Sequence, residues 1–519
     1  MKHVLSNSPW LSRLPYIALT ILVVTAFLAL AHCFFTLMDF DEFVEFYTDS
    51  LPTALSVIHL QLTTPIVADP PLYHLISHLS MDVLGRNAFA PRLPSILGFL
   101  IMQVCTLVYL MRLGKKRAAI LAMIFPVLTG GFSEALRGRP YGLILGLCAV
   151  SFVSWQAATR KDGWTQSIAL VGLGLSLALI INCHYFGVLL SFPIIAGELT
   201  RSFNTRAVNW KAWSAIGAAL SSTILIVPFA RAATIHRVHP FSTLQAGFLK
   251  EVYNTYSTFY VAGMGGRSVG IAIILTLFIV IVLASLRAEC RVHICLPAHD
   301  LVALIVLFIV PFFGIILAYA VSHTFSARYV IGSIFGGSVL LAIILEGSLH
   351  RKRELWSIVA FISICALTLS CRTTASNHLA MRNLQQSMNL TPTVKAYLID
   401  HSSEPIYINQ SQRYFEDNYY CTAPILKGRF RLLYDPQMEL HWTHTDLNSI
   451  TALYLARVTE LQVAPYDQLG AGRGGKAVIE YRSSWEWLSN QLSADHDTVT
   501  PVGELLGGEL EIVSAPGGH

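Results

Sequence analysis

The chain of 519 residues is 54% hydrophobic and only 13% charged, and its mean hydropathy is +0.55. This composition excludes an ordinary soluble globular protein and indicates a membrane protein. The formal net charge of +5 does not indicate a nucleic-acid partner, because most Lys and Arg residues lie in short loops between apolar segments.

About eleven apolar segments are long enough to cross roughly 30 Å of hydrocarbon. No small-residue cleavage pattern follows the first segment, so we interpret it as a retained span and not as a signal peptide. A polar break at Asn182–Tyr185 divides one long apolar run into two spans. The predicted spans are residues 14–37, 92–112, 117–134, 138–158, 166–182, 184–200, 212–233, 268–287, 300–322, 329–349 and 355–371.

The positive charges of the loops alternate along the chain and predict its orientation. With the N-terminus in the cytoplasm, the basic segments 115–117, 160–161 and 351–353 all face the cytoplasm, as the positive-inside rule expects. Two long loops, 38–91 and 234–267, then lie outside, together with the C-terminal region. We therefore predict a multi-pass protein of the inner (plasma) membrane, with a membrane module at 1–372 and an extracytoplasmic domain at 373–519.

The polar regions also have a predicted structure. Apolar residues at helical spacing within 43–47 and 72–79 predict amphipathic helices that lie in the membrane interface. In the C-terminal region, segments typical of strands alternate with helical ones, which predicts a small α/β domain. Its predicted strands are 405–408, 430–434, 477–481 and 510–513, and its predicted helix is 485–492. The expected fold is thus an all-α polytopic membrane protein with a small C-terminal α/β domain.

An acidic cluster follows the first predicted span. Asp39, Asp41, Glu42 and Glu45 lie at the outer membrane face, where an ionised carboxylate avoids the cost of the bilayer centre. Such a cluster is either a solvated acidic loop or a place to keep a general base near lipid headgroups.

Several short motifs occur in a characteristic order along the membrane module. They are Met38–Glu42, Ala68–Leu79, Phe89–Ser95, Ala135–Gly142, His184–Gly187 and Ala327–Tyr329. In order and spacing they resemble the lipid-linked-sugar glycosyltransferases of the GT-C fold. That family includes protein O-mannosyltransferases and the bacterial transferases that add aminoarabinose or galacturonic acid to lipid A. Asp69 departs from the family pattern, since many members carry another residue before the two prolines.

The resemblance implies inverting transfer of a sugar from a polyprenyl-phosphate donor to a hydroxyl or amine at the outer face. Asp41 is the expected base, because a carboxylate can take the acceptor's proton in the transition state. Glu42 points about 100° away on a helix and is expected to orient a neighbouring group. The acceptor is a glycolipid, a polysaccharide or a protein, and no nucleic acid is involved.

The leaving lipid phosphate gains negative charge, which arginine side chains can stabilise. Arg137, Arg139 and Arg328 are the candidates for this role, and membrane anchoring by headgroup contacts is the alternative for each one. The matched motifs also imply a substrate pocket. Its predicted members are Asp69, Tyr73, His74, Tyr141, His184, Tyr185 and Tyr329.

Three alternatives stay open at this level. His74, His78 and Asp82 have a spacing that could bind a metal, but an interfacial polar stripe explains it equally well, so we predict no cofactor and assign no metal ligand. His236 and His239 either border the acceptor path or belong to a solvated loop. A transporter or flippase of lipid-linked substrates is the alternative function, although its ionisable groups are usually at mid-membrane.

Overall fold

The computed structural model describes residues 13–64, 66, 69–160, 162–235, 247–261, 270–271, 296–348, 352–470, 475–481 and 487–514. These residues form two compact units. The first comprises residues 1–34, 69–228 and 243–374, and the second comprises residues 35–68, 229–242 and 375–519. Nearly all of the predicted span 268–287, and both His236 and His239, lie outside the described residues.

Long apolar helices dominate the N-terminal two thirds of the chain. Three short 3₁₀ segments, Phe125–Leu128, Tyr185–Leu190 and Ala327–Val330, interrupt them. The helices are α1 Leu14–Phe35, α2 Phe40–Asp49, α3 Ala54–Thr63, α4 Pro71–Leu84, α5 Leu93–Arg112, α6 Lys116–Ile124, α7 Gly130–Ala135, α8 Tyr141–Arg160, α9 Gly163–Cys183, α10 Ser191–Thr205, α11 Trp210–Ser221, α12 Thr223–Ile235, α13 Phe248–Tyr260, α14 Ala298–Phe308, α15 Val310–Leu317, α16 Ser333–Ser348 and α17 Lys352–Ser387.

Within the described residues, seven helices are long and apolar enough to cross a membrane. The pair α14 and α15, bent by 45°, adds an eighth if it is one broken span. The three other predicted spans are the interrupted segment 117–134, the 16-residue helix α16, and 268–287. The predicted polytopic helical architecture is therefore confirmed, and its spans are less regular than the hydropathy indicated.

Helices α5 and α8 approach each other through glycine. Gly142 and Gly146 form a G-x-x-x-G pattern on α8, and Gly98 lies opposite them on α5. A Cβ atom added at any of the three would overlap backbone atoms of the neighbouring helix. Small residues allow the two backbones to approach closely. The resulting van der Waals packing stabilises helix association in lipid, where the hydrophobic effect does not drive helices together.

At the end of the helical unit away from Tyr141, buried polar side chains connect neighbouring helices. Tyr109 donates a hydrogen bond of 2.8 Å to Asp300, and Arg160 lies 3.4 Å from the same carboxylate. Glu198 accepts from Arg201 at 2.6 Å. Helix α8 runs from Tyr141 to Arg160, which corresponds to about 28 Å at 1.5 Å per residue. Arg160 and Tyr141 therefore belong to opposite ends of the helical unit.

The second unit contains helices α2 and α3 of the first loop and the whole C-terminal region. Its further helices are short and alternate with strands. They are α18 Pro392–Asp400, α19 Ser411–Tyr420, α20 Pro436–Thr443, α21 Leu447–Val458, α22 Asp467–Gly470 and α23 Leu488–Ala494. Its strands are β1 Ile406–Ile408, β2 Phe430–Tyr434, β3 Val463–Pro465, β4 Lys476–Glu480, β5 Thr498–Leu505 and β6 Gly508–Ser514.

The six strands form one mixed sheet in the order β3-β2-β1-β4-β6-β5. Strands β1 to β4 are parallel, with Ile406 paired to both Phe430 and Ala477, and β6 runs antiparallel to both β4 and β5. One face of the sheet packs on Trp487 and Leu488. The predicted α/β domain is confirmed, with β3 and β5 as additional strands.

The two predicted interfacial helices differ in their surroundings. Helix α4 buries Tyr73, His74 and His78 and exposes Leu79 and Val83, so its outward side is apolar, as expected beside lipid. On α2, however, the apolar face is covered by protein. Phe43 has no exposed surface, and its ring packs against Phe415 of α19. The amphipathic helix predicted at α2 is therefore present, and its location in the membrane interface stays a prediction.

Candidate functional site

A buried ion-pair network lies at one end of the helical unit. Arg139 precedes α8, and its guanidinium is 3.4 Å from the carboxylate of Asp69. His184, at the end of α9, places Nε2 3.5 Å from the other oxygen of Asp69. The backbone N–H of Phe186 donates to Nδ1 of His184, so this nitrogen carries no proton and the imidazole is neutral. Nε2 then carries the proton and faces Asp69.

Tyr141 connects this network to Arg328. The Tyr141 ring lies 5.9 Å from the guanidinium carbon of Arg139 and 5.5 Å from that of Arg328. Tyr141 is fully buried, and its hydroxyl has no hydrogen-bond partner among the described residues. The Tyr329 ring packs on His184 at a centroid distance of 4.7 Å. Tyr141 thus packs between the two arginines through its ring.

A cavity of about 370 Å³ adjoins these side chains within the same unit. Arg137 and Arg328 are its cationic residues, and Glu134, 3.5 Å from Arg137, is its carboxylate. The cavity thus presents two guanidinium groups to a ligand, as binding of a phosphate would require. Its lining residues are Gly130, Ser133, Glu134, Arg137, Thr258, Phe259, Ser326, Ala327 and Arg328.

The remaining predicted pocket residues have more ordinary surroundings. Tyr73 is buried and donates to the carbonyl of Pro91 at 2.9 Å, which fixes α4 to the chain before α5. His74 is buried on α4, and Tyr185 is half-buried in the 3₁₀ segment after His184. His78 forms an ion pair of 3.4 Å with the exposed Asp82. The substrate roles of Tyr73, His74 and Tyr185 stay predictions.

Asp41 and Glu42 belong to the second unit, in the first turn of α2. The carboxylate of Asp39 accepts from the backbone N–H of Glu42 at 2.9 Å, and Glu42 accepts from the N–H of Asp39 at 3.2 Å. This reciprocal arrangement is a capping box. Glu42 is buried and stabilises the helix start, whereas Asp41 is partly exposed. The catalytic assignments of both residues stay predictions.

Two residues near the Asp69–Arg139 network and the cavity received no role in the sequence analysis. Glu134 lies three residues before Arg137, a helical spacing that the sequence shows but that is common on exposed helix surfaces. Ser95 on α5 donates to the carbonyl of Arg139 and accepts from the N–H of Gly142 at 3.1 Å. Ser95 ends the motif Phe89–Ser95, but the sequence assigns it no role, because its contacts depend on the packing of α5 against α8.

No protein-family model and no curated protein matches the sequence. Among solved structures, ArnT from Cupriavidus metallidurans bound to undecaprenyl phosphate is similar at a TM-score of 0.56 and 11% identity, over 98% of both chains. ArnT in the apo state gives a TM-score of 0.57 at 11% identity, over 97% of both chains. The Archaeoglobus fulgidus oligosaccharyltransferase gives only 0.43 over 88% of this chain and 68% of that chain, which is too low to support a shared fold.

The helical architecture defines a multi-pass membrane protein. Its likeness to ArnT extends over nearly the whole length of both chains, including the C-terminal mixed sheet. The chain therefore has the GT-C fold, as the resemblance of its motifs implied.

Proposed function

We propose that this protein is a membrane glycosyltransferase that uses a polyprenyl-phosphate sugar as its donor. The cavity that presents Arg137 and Arg328, the second of which packs on the Tyr141 ring, is the observation that carries this proposal. A lipid phosphate would be bound by the two guanidinium groups, and the sugar would hydrogen-bond Tyr141. The similar structure of ArnT bound to undecaprenyl phosphate supports a donor of this class.

The proposed reaction is inverting transfer at the extracytoplasmic face of the plasma membrane. The Asp41 carboxylate takes the proton of the acceptor hydroxyl or amine as that atom attacks the anomeric carbon. The bond between this carbon and the phosphate oxygen breaks, and polyprenyl phosphate leaves with the electron pair. Arg137 and Arg328 stabilise the charge that develops on the phosphate. The proposal requires Asp41 to come within hydrogen-bond reach of the acceptor during transfer.

The Asp69 network supports the site without contributing to bond making. Asp69 neutralises the buried Arg139 and lies 3.5 Å from Nε2 of His184, which in turn packs on Tyr329. A buried guanidinium without a carboxylate would be costly. We infer that this network holds Tyr141 and the start of α8 at the edge of the donor site.

The first test is Asp41→Asn, which keeps the shape of the side chain and removes its basicity. Transfer from the polyprenyl-phosphate sugars extracted from cells lacking this gene should fall by at least about a hundredfold, while binding of undecaprenyl phosphate is unchanged. Asp467→Asn, at an exposed carboxylate of the same unit, is the control. Wild-type transfer by Asp41→Asn would overturn the base assignment. A transporter of lipid-linked substrates instead predicts no transfer by either the purified wild type or the variant.

The second test concerns the donor phosphate. Arg328→Ala should weaken binding of undecaprenyl phosphate and slow transfer. Arg328→Lys should recover only part of the wild-type binding and rate, because an ammonium cannot donate two parallel hydrogen bonds. Arg372→Ala removes an exposed arginine and is expected to change neither quantity. If Arg328→Ala binds undecaprenyl phosphate as the wild type does, the phosphate site is elsewhere.

A further inference from the structure

Within the second unit, helix α19 holds the residue that precedes the start of α2. The backbone N–H of Met38 donates to the Tyr420 hydroxyl at 3.1 Å, and the carbonyl of Met38 accepts from Nε2 of Gln412 at 3.2 Å. Both polar groups of this one peptide residue are thus bound by side chains of a single helix. We call Gln412 and Tyr420 the Met38 clamp.

The apolar face of α2 packs on the same helix. The ring centroid of Phe43 lies 5.7 Å from that of Phe415, 5.8 Å from that of Tyr419 and 6.2 Å from that of Tyr420. Phe43 is fully buried. Such an aromatic cluster resists rotation and translation of α2, because interiors are close-packed and any shift opens a void.

The clamp reaches Asp41 through a short and rigid chain segment. Met38 adjoins Asp39, the N-cap of α2, and the capping box joins Asp39 to Glu42. Asp41 lies inside that box, in a helical turn whose start and apolar face are both fixed to α19. A change in the backbone at Met38 would therefore be transmitted to the Asp41 carboxylate.

We propose that α19 is a positioning element of the transferase, and that Gln412 and Tyr420 are positioning residues that orient the Asp41 base. This inference rests on the proposed function. It gives the C-terminal domain a role in positioning the base, because Gln412 and Tyr420 lie in the domain that also contains the mixed sheet. A base displaced by about 1 Å can lose up to a hundredfold in rate.

The test uses the full-length protein in detergent with Tyr420→Phe, Gln412→Ala and their combination. Tyr420→Phe keeps the ring in the aromatic cluster and removes only the oxygen that accepts from Met38. Asn418→Ala is the matched control, because Asn418 is on the same helix and contacts Tyr47 in the later part of α2, at 3.5 Å. Three quantities are measured: kcat for transfer from the extracted polyprenyl-phosphate sugars, binding of undecaprenyl phosphate, and amide hydrogen exchange of residues 38–49.

The combined variant should lower kcat by between about tenfold and a hundredfold, with binding of undecaprenyl phosphate unchanged. Exchange of residues 38–49 should rise in this variant, and Asn418→Ala should behave as the wild type. Unchanged exchange, or a wild-type kcat in the combined variant, overturns the clamp. Asp41→Asn distinguishes failure of the proposed function from failure of the clamp. If Asp41→Asn transfers normally, the proposed base is wrong. If Asp41→Asn is inactive and the combined variant is fully active, only the positioning role is rejected.

Discussion

Two buried carboxylates are accommodated in different ways. Asp69 lies beside Arg139 and His184, so its negative charge has a cationic partner. Asp417, on α19, instead accepts one hydrogen bond of 2.6 Å from Tyr481. Its other oxygen is buried without a hydrogen-bond partner among the described residues. Burial raises the pKa of Asp417 to about 7, and the Tyr481 hydrogen bond opposes this shift.

This raised pKa predicts a pH dependence of stability. In the unfolded chain the Asp417 carboxyl has its ordinary pKa of 3.8, so folding favours the protonated form. The stabilising contribution is complete below about pH 4 and is lost as the pH rises through about 7. Asp417→Asn should remove this part of the dependence, because an amide stays neutral at every pH.

The measurement is the Tm of the purified protein in detergent between pH 4.5 and pH 8. Each pKa unit corresponds to about 1.4 kcal/mol, so the wild type should lose several degrees more than Asp417→Asn over this range. Glu460→Gln, at an exposed carboxylate of the same unit, is the control. Parallel pH profiles of wild type and Asp417→Asn would contradict the assignment.

At the level of elements, the contact between α5 and α8 fixes the start of α8, beside the proposed donor site. Tyr141 is the first residue of α8, and Gly142 follows it directly. Ser95 of α5 hydrogen-bonds the backbone on both sides of Tyr141, at Arg139 and Gly142. The close approach of the two helices therefore sets the location of Tyr141 relative to Arg328.

Gly142→Ala tests this packing. A Cβ atom at position 142 would overlap the Ser95 carbonyl, so the two helices must separate. We expect a lower Tm and weaker binding of undecaprenyl phosphate, because overpacking typically costs about 1–3 kcal/mol. Gly217→Ala is the matched control, since an added Cβ atom there meets no neighbouring atom and alanine favours helix. Equal Tm values for the wild type and Gly142→Ala would contradict the proposed close contact.

Helix α2 shows a second way in which an element acquires its role. Its own sequence specifies the capping box and an amphipathic face. The same face would suit a membrane interface or a protein partner, because both are apolar. The aromatic residues of α19, more than 360 positions later in the chain, provide a protein partner for this face.

In the whole molecule, segments that are distant in sequence belong to the same compact unit. The sequence-based division places the first outward loop with the membrane module, whereas the compact unit that contains residues 375–519 also contains residues 35–68. The proposed base thus belongs to the unit with the mixed sheet, and the arginine cavity belongs to the helical unit. The residues proposed for catalysis and for phosphate binding are thus distributed over both units.

The sequence by itself determined the membrane class, the approximate spans and the α/β character of the C-terminal region. Hydropathy, loop charge and strand propensity are local properties, so a window of residues is enough to detect them. The matched motifs also singled out Asp69, Arg139, Tyr141, His184 and Arg328, although their mutual contacts stayed undefined.

Only the tertiary structure decided which of these residues meet. The pairing of Asp69 with Arg139 spans 70 positions, and the bond from Gln412 to Met38 spans 374. Such contacts depend on how helices pack and where the chain returns, and neither is encoded in the spacing within one segment. The physical reason is that the packing of the whole chain determines which side chains meet. The polarity of a residue and its local conformational preference, by contrast, depend only on that residue and its neighbours in sequence.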